Sequence, residues 1–96
     1  MAKRYSPRVF HARFPDGTSM TRAHPSRVFT HAYLVLFERS EGTDGFQRAF
    51  CQSWEDADAM VEAEKLWLRK HRHTLIEAFI VEASELKNAI RRKPPR

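Results

Sequence analysis

Arg27-Val28-Phe29-Thr30-His31-Ala32-Tyr33-Leu34-Val35-Leu36-Phe37-Glu38 is the stretch that decides the fold. In an extended chain, alternate side chains point to opposite faces. Phe29, His31, Tyr33, Val35 and Phe37 then face one way, and Val28, Thr30, Ala32, Leu34 and Leu36 the other. Both sets become apolar toward the end, which predicts a central strand covered on both faces. Downstream, Ser40-Glu41-Gly42-Thr43-Asp44-Gly45 is a loop, and Phe46–Gln52 alternates again, so the two segments form a hairpin. Upstream, Arg8–Phe14 alternates imperfectly and runs into Pro15-Asp16-Gly17-Thr18, a strong turn signal. Ser19–Arg22 returns as a short polar strand suited to a sheet edge, and His24-Pro25-Ser26 breaks the chain before the central strand.

A helix is predicted from Trp54 to about Lys70. Ser53 is its N-cap, with Asp56 three residues on in a capping-box spacing. Acids fill the first turns, and Arg69-Lys70-His71-Arg72 ends the helix, as its dipole prefers. Trp54, Ala57, Met60, Val61, Trp67 and Leu68 form one apolar stripe, with Glu64 inside it. The next segment is ambiguous. Leu75, Ile76, Phe79, Ile80, Ala83, Leu86 and Ile90 fit a helical stripe, and Thr74 with Glu77 fits a second capping box. Phe79-Ile80-Val81 favours a strand instead. Pattern alone leans to the helix.

The order of Arg27-Val28-Phe29-Thr30-His31-Ala32, an apolar strand, a second strand ending near Trp54, an Ala-rich helix and a closing Phe79-Ile80-Val81-Glu82 resembles small uncharacterised bacteriophage proteins. Those carry an Arg-x-aromatic-Thr-His-small stretch in the same order of elements. The resemblance spans about residues 26–84. It implies a mobile-element origin and a closing strand over residues 76–83, and it tips the ambiguous segment to strand. The expected fold is therefore α+β: a small antiparallel sheet of four to five strands centred on Arg27–Glu38, with one long amphipathic helix packed on one face. Residues 1–96 are expected to make a single domain, with flexible basic tails at 1–7 and 91–96.

Cys51 is the lone cysteine, so no intramolecular disulfide can form, which suits a reducing, cytoplasmic location. The longest apolar run, Ala32–Phe37, is too short for a membrane span, and the basic N-terminus lacks the apolar stretch of a signal peptide. A membrane partner is not expected. Charge is sorted into blocks: residues 1–39 carry a net +5, residues 40–68 a net −5 and residues 69–96 a net +5. Such blocks make surfaces of opposite potential, which select macromolecular partners.

Catalytic sets are poorly supported. His71 and His73 with Glu64 lack the ligand number and setting that zinc requires, so no metal and no cofactor are expected, and both histidines are read as capping the helix end in solvent. Glu64 is read as turning toward Lys65, Arg72 or a strand arginine. Cys51 with His31 and Asp56 would need an electropositive setting to form a thiolate, but an acidic stretch follows it, and a core-facing thiol is expected. Gly42 and Gly45 are hairpin residues and not a phosphate loop. The protein is read as non-enzymatic.

Two charged surfaces remain. The acidic helix face, Glu55, Asp58 and Glu62, would repel DNA but suits an arginine-rich surface on another protein. The basic set, Arg8, Arg13, Arg22, Arg27, Arg91, Arg92 and Lys93, is interleaved with aromatics in its strand portion, as in single-strand binders. The same spacing arises when the aromatics are core and the arginines a solvated outer face. The primary expectation is a small phage-encoded protein that binds and inhibits a host protein or nucleoprotein complex handling nucleic acid, as anti-CRISPR proteins do. The alternative is direct nucleic-acid binding through the basic strands and tail. The sequence leaves the oligomeric state open.

Overall fold

In the computed structural model, which describes residues 8–86, Pro15-Asp16-Gly17 reverses the chain between β1 (Arg8–Arg13) and β2 (Ser19–His24). Gly17 adopts φ +96°, a backbone region that other residues enter only with strain. Phe14 N–H donates to the Thr18 carbonyl (2.9 Å) and Gly17 N–H to the Phe14 carbonyl (3.0 Å). The Asp16 carboxylate accepts from the Thr18 hydroxyl (2.7 Å) and the Thr18 amide (3.0 Å). These bonds hold Asp16 below the ordinary carboxylate range.

The remaining elements are β3 (His31–Glu38), β4 (Asp44–Cys51), α1 (Trp54–Lys70), β5 (Thr74–Glu82) and the two-residue β6 (Ser84–Glu85). They assemble as two antiparallel three-stranded sheets, ordered β2-β1-β6 and β4-β3-β5. The α+β class and the helix on one face of the β3 sheet agree with the sequence reading. The single sheet of four to five strands does not: there are six strands in two sheets. The reason lies in β3. Its second apolar face needs a cover, and β1 supplies one by laying Phe10 and Ala12, with Phe14 just beyond, against Ala32, Leu34 and Phe50. The opposite face of β3, Tyr33, Val35 and Phe37, packs with Ala57, Val61 and Leu68 of α1. The layers are thus sheet, sheet, helix, and β3 is the strand common to both cores.

The segment before β3 departs from expectation. The strand begins at His31 rather than Arg27, and Phe29 joins Ala32 and Leu34 instead of Tyr33 and Val35. The cause is that residues 27–30 are not strand, so alternation does not carry through from Phe29 to His31. Upstream, the His24 ring Nδ1 accepts from the Ser26 and Arg27 amides (3.2 and 3.0 Å) and caps the turn from which this segment leaves. Phe29 lands edge-on to Phe10 (centroids 5.2 Å apart) and beside Phe50 (5.5 Å).

Residues 74–82 form a strand, as the phage-like pattern implied and the apolar spacing alone did not. Ala78 and Ile80 face the helix core while Phe79 and Val81 face the other. The β3–β5 register shifts between Leu36 and Phe37, leaving Ile76 as the extra residue of a bulge. After Glu82 the chain crosses from one sheet to the other. Ala83 N–H donates to the Thr30 carbonyl (2.8 Å), and Ser84 and Glu85 already pair with His11 and Phe10. The expected tails at 1–7 and 91–96, with Arg91, Arg92 and Lys93, lie outside the described residues. No helix among the described residues is long and apolar enough to cross a membrane.

Candidate functional site

Helix α1 starts where Ser53 caps it: the Ser53 hydroxyl accepts from the Asp56 amide at 3.0 Å. Its buried line is Ala57, Val61 and Leu68, with Glu64 on the same side. Glu64 accepts a 2.7 Å hydrogen bond from the Tyr33 hydroxyl, so it meets a strand tyrosine and not Lys65, Arg72 or a strand arginine. Burial, and then this bond to a carboxylate, push the Tyr33 phenol well above its ordinary value.

At 100° per residue, Glu55, Ala59, Glu62 and Leu66 stand opposite that buried line and form the outer crest of the helix. Glu55 and Glu62 are exposed, while Asp58 lies on the flank and is half-buried. Glu62 pairs with Lys65 at 3.2 Å, an exposed bond of small energetic weight. The face is not purely acidic. Leu66, on the crest, is 60% exposed, while Trp54 (50%) and Met60 (40%) meet solvent at the two borders of the buried line. Two members of the expected apolar stripe, Trp54 and Met60, are therefore surface residues.

The basic strand residues are split between faces, Arg8 and Arg22 on the core side of their sheet and Arg13 on the outer side. Pairing in β1–β2 puts Phe10 opposite Arg22 and Ala12 opposite Met20, on the core side; Arg13 and Ser19 pair on the outer side. Arg8 lies 3.8 Å from Glu85 of β6. The Arg22 guanidinium carbon sits 5.7 Å above the Phe29 ring. Arg27 lines an open cleft of about 290 Å³ with Phe29, Phe50, Cys51, Asp56 and Met60. Alternation along a strand sends neighbouring arginines to opposite sides. A pair missing from the sequence-level candidates is Phe46 and Arg48 on β4. Phe46 is 56% exposed, and the Arg48 guanidinium stacks over it at 5.2 Å. The signal for that pair was available: two residues apart on an alternating strand, they share a face.

At the far end of α1, His71 is the C-cap, and its ring Nδ1–H donates to the Trp67 carbonyl (3.0 Å). The His73 ring Nδ1 accepts from the Ser40 amide (3.0 Å) and stacks on Phe37 (5.5 Å), so it ties β3 to the helix end, while the His71 side chain is exposed. Glu64 is engaged by Tyr33. Among the described residues no group of three or more His, Cys, Asp or Glu is arranged to hold a metal ion. Cys51 is buried, and burial first and Asp56 second push its thiol up, away from the thiolate. His31 lies opposite it across the strand pair but contacts the Thr30 hydroxyl (2.8 Å).

No protein-family model matches this chain, and no curated protein or solved structure does.

Proposed function

We propose that the protein is a non-enzymatic, phage-encoded binder that docks helix α1 onto a basic surface of a host nucleic-acid-handling complex in the cytoplasm and blocks it, in the manner of an anti-CRISPR protein. The observation that carries the reading is Leu66, 60% exposed on the outer crest of α1 that it shares with Glu55 and Glu62. Solubility and the helix dipole explain acids on an exposed face. They do not explain an exposed leucine beside them. Apolar side chains occupy the buried centres of interfaces, and charges their rims. Carboxylates at the rim favour a partner of opposite sign, which is the sign of a nucleic-acid groove.

The test is capture of partners from bacterial host lysate by the wild type and by two variants. Reversing Glu55, Asp58 and Glu62 to Lys should weaken capture at least about tenfold, as loss of complementary charge becomes like-charge repulsion. Leu66→Glu should do the same without altering the basic surfaces. Leu66→Glu should melt close to wild type, since Leu66 is exposed, and the triple variant should stay folded but melt lower, because Lys at position 55 opposes the helix dipole. Undiminished capture of the same partner by both variants would refute the reading.

A further inference from the structure

We propose that the open side of the sandwich, between edge strands β2 and β4, is a second binding surface whose ligand is single-stranded nucleic acid. Its arginines and its exposed ring lie on β2, β4 and the segment before β3, and it does not depend on the reading above.

The topology makes the surface. Because β6 follows β5 directly, β5 and β6 close one side of the two sheets, and β2 and β4 are left as the edges on the other. Arg48 spans that gap, its Nη1 donating to the Ser19 carbonyl at the start of β2 (3.4 Å). By register, Arg22 lies opposite Phe10 and Arg48 opposite Leu34, both buried core residues. Arg22 and Arg48 therefore occupy core-side positions of their strands, where an apolar residue would have closed the sandwich.

Each guanidinium there stacks on an aromatic ring, Arg48 on Phe46 and Arg22 on Phe29, and the His24 ring meets Phe29 edge-on (5.7 Å). Among the described residues, none of Arg22, Arg27 and Arg48 has a carboxylate within 4.0 Å. The Asp16 carboxyl feels Arg48, and Asp56 lines the same cleft as Arg27. Inward charges on edge strands can serve simply to prevent edge-to-edge pairing. That purpose does not require Phe46, 56% exposed beneath its arginine. An exposed ring with a π-face for a base, on a surface whose guanidinium groups have no carboxylate partner and can meet phosphates, is the combination single-strand binders use. The free ring face and the spacing along two short strands suit unpaired bases better than the grooves of a duplex.

The experiment is fluorescence anisotropy of the full-length protein with a labelled thymidine oligonucleotide, a duplex of equal length and a polyglutamate peptide, at low salt and across a salt series. Wild type should bind the single strand more tightly than the duplex or the peptide. Phe46→Ala should weaken that binding about 5- to 150-fold, the range for loss of one base–aromatic stack. Arg22→Gln and Arg48→Gln should each flatten the salt dependence by about 0.7 in log–log slope, one phosphate contact. Circular dichroism and melting should show the three variants folded. Should Arg48→Gln fail to fold, Phe46→Ala and Arg22→Gln still decide the matter. The proposal is overturned if wild type does not bind the oligonucleotide. It is equally overturned if the variants bind it as wild type does, which would move the contact to the basic segments outside residues 8–86, or if polyglutamate competes on equal terms.

Discussion

Gly45 lies opposite Phe37 in the β3–β4 register, and a β-carbon there would come within 2.7 Å of the Phe37 ring and 2.9 Å of the Arg39 guanidinium. Read from sequence, Gly45 is only a hairpin residue. In the fold it is the floor on which Phe37 rests, with Trp67 edge-on, His73 stacked and Arg39 above. Gly45→Ala should therefore destabilise by about 1–3 kcal/mol, an overpacking cost, seen as a lower urea midpoint at unchanged slope. Gly42→Ala, where the obstacle is φ +99° and not a neighbour, should leave the Phe37 environment unchanged in spectra that report aromatic packing. Tyr33 and Cys51 give the pH response. Both are held protonated in the fold above their ordinary values of 10.0 and 9.0. Above those values the unfolded chain loses protons that the native state keeps, so stability falls as pH rises from about 9. Melting temperatures measured from neutral to strongly alkaline pH should show that decline. Tyr33→Phe should flatten its upper part, while costing about 1–2 kcal/mol at neutral pH because Glu64 loses its donor.

Among the elements, α1 was the most legible, because a cap, a dipole-matched charge gradient and a helical period all agree on Trp54–Lys70. Ser53→Ala should cost about 1 kcal/mol and Ser53→Asp much less, measured by chemical denaturation, since Asp also accepts from the Asp56 amide. Strand β5 was the least legible, for a physical reason. A strand with apolar residues on both faces places them side by side, and the pairs Leu75-Ile76 and Phe79-Ile80 fall four apart, which is also a helical spacing. The bulge at Ile76 creates that coincidence. It inserts a residue that belongs to neither core and is 56% exposed. Phe29 was misassigned for a related reason: counting alternation backward from Val35 is valid only while the chain stays extended, and residues 27–30 are not strand.

On the scale of the whole molecule, charge that is contiguous in sequence stays contiguous only where a helix carries it. The acidic block keeps Glu55 and Glu62 on one crest of α1. The basic block of residues 1–39 is dispersed by strand alternation: Arg8 goes to Glu85, Arg13 to the outer face of its sheet, and Arg22 to the β2–β4 side. The linear charge pattern thus foretold one surface and obscured the other. The pairing of β1 with β6 has a different consequence. Phe10 faces Glu85, and the Leu86 amide bonds the Val9 carbonyl at 2.7 Å, so the first and last described strands are neighbours and the chain closes on itself like a ring. A ring has no obligatory starting point. A circular permutant that joins Arg96 to Met1 and opens at Gly42, in the β3–β4 turn, preserves every strand pair and should melt cooperatively within several degrees of the parent, as chains cut at exposed turns do. One opened at Ala83 cuts the only covalent path by which β5 hands over to β6. It should melt below the Gly42 permutant, because the segment between β2 and β3 would then be the one described link joining the two sheets.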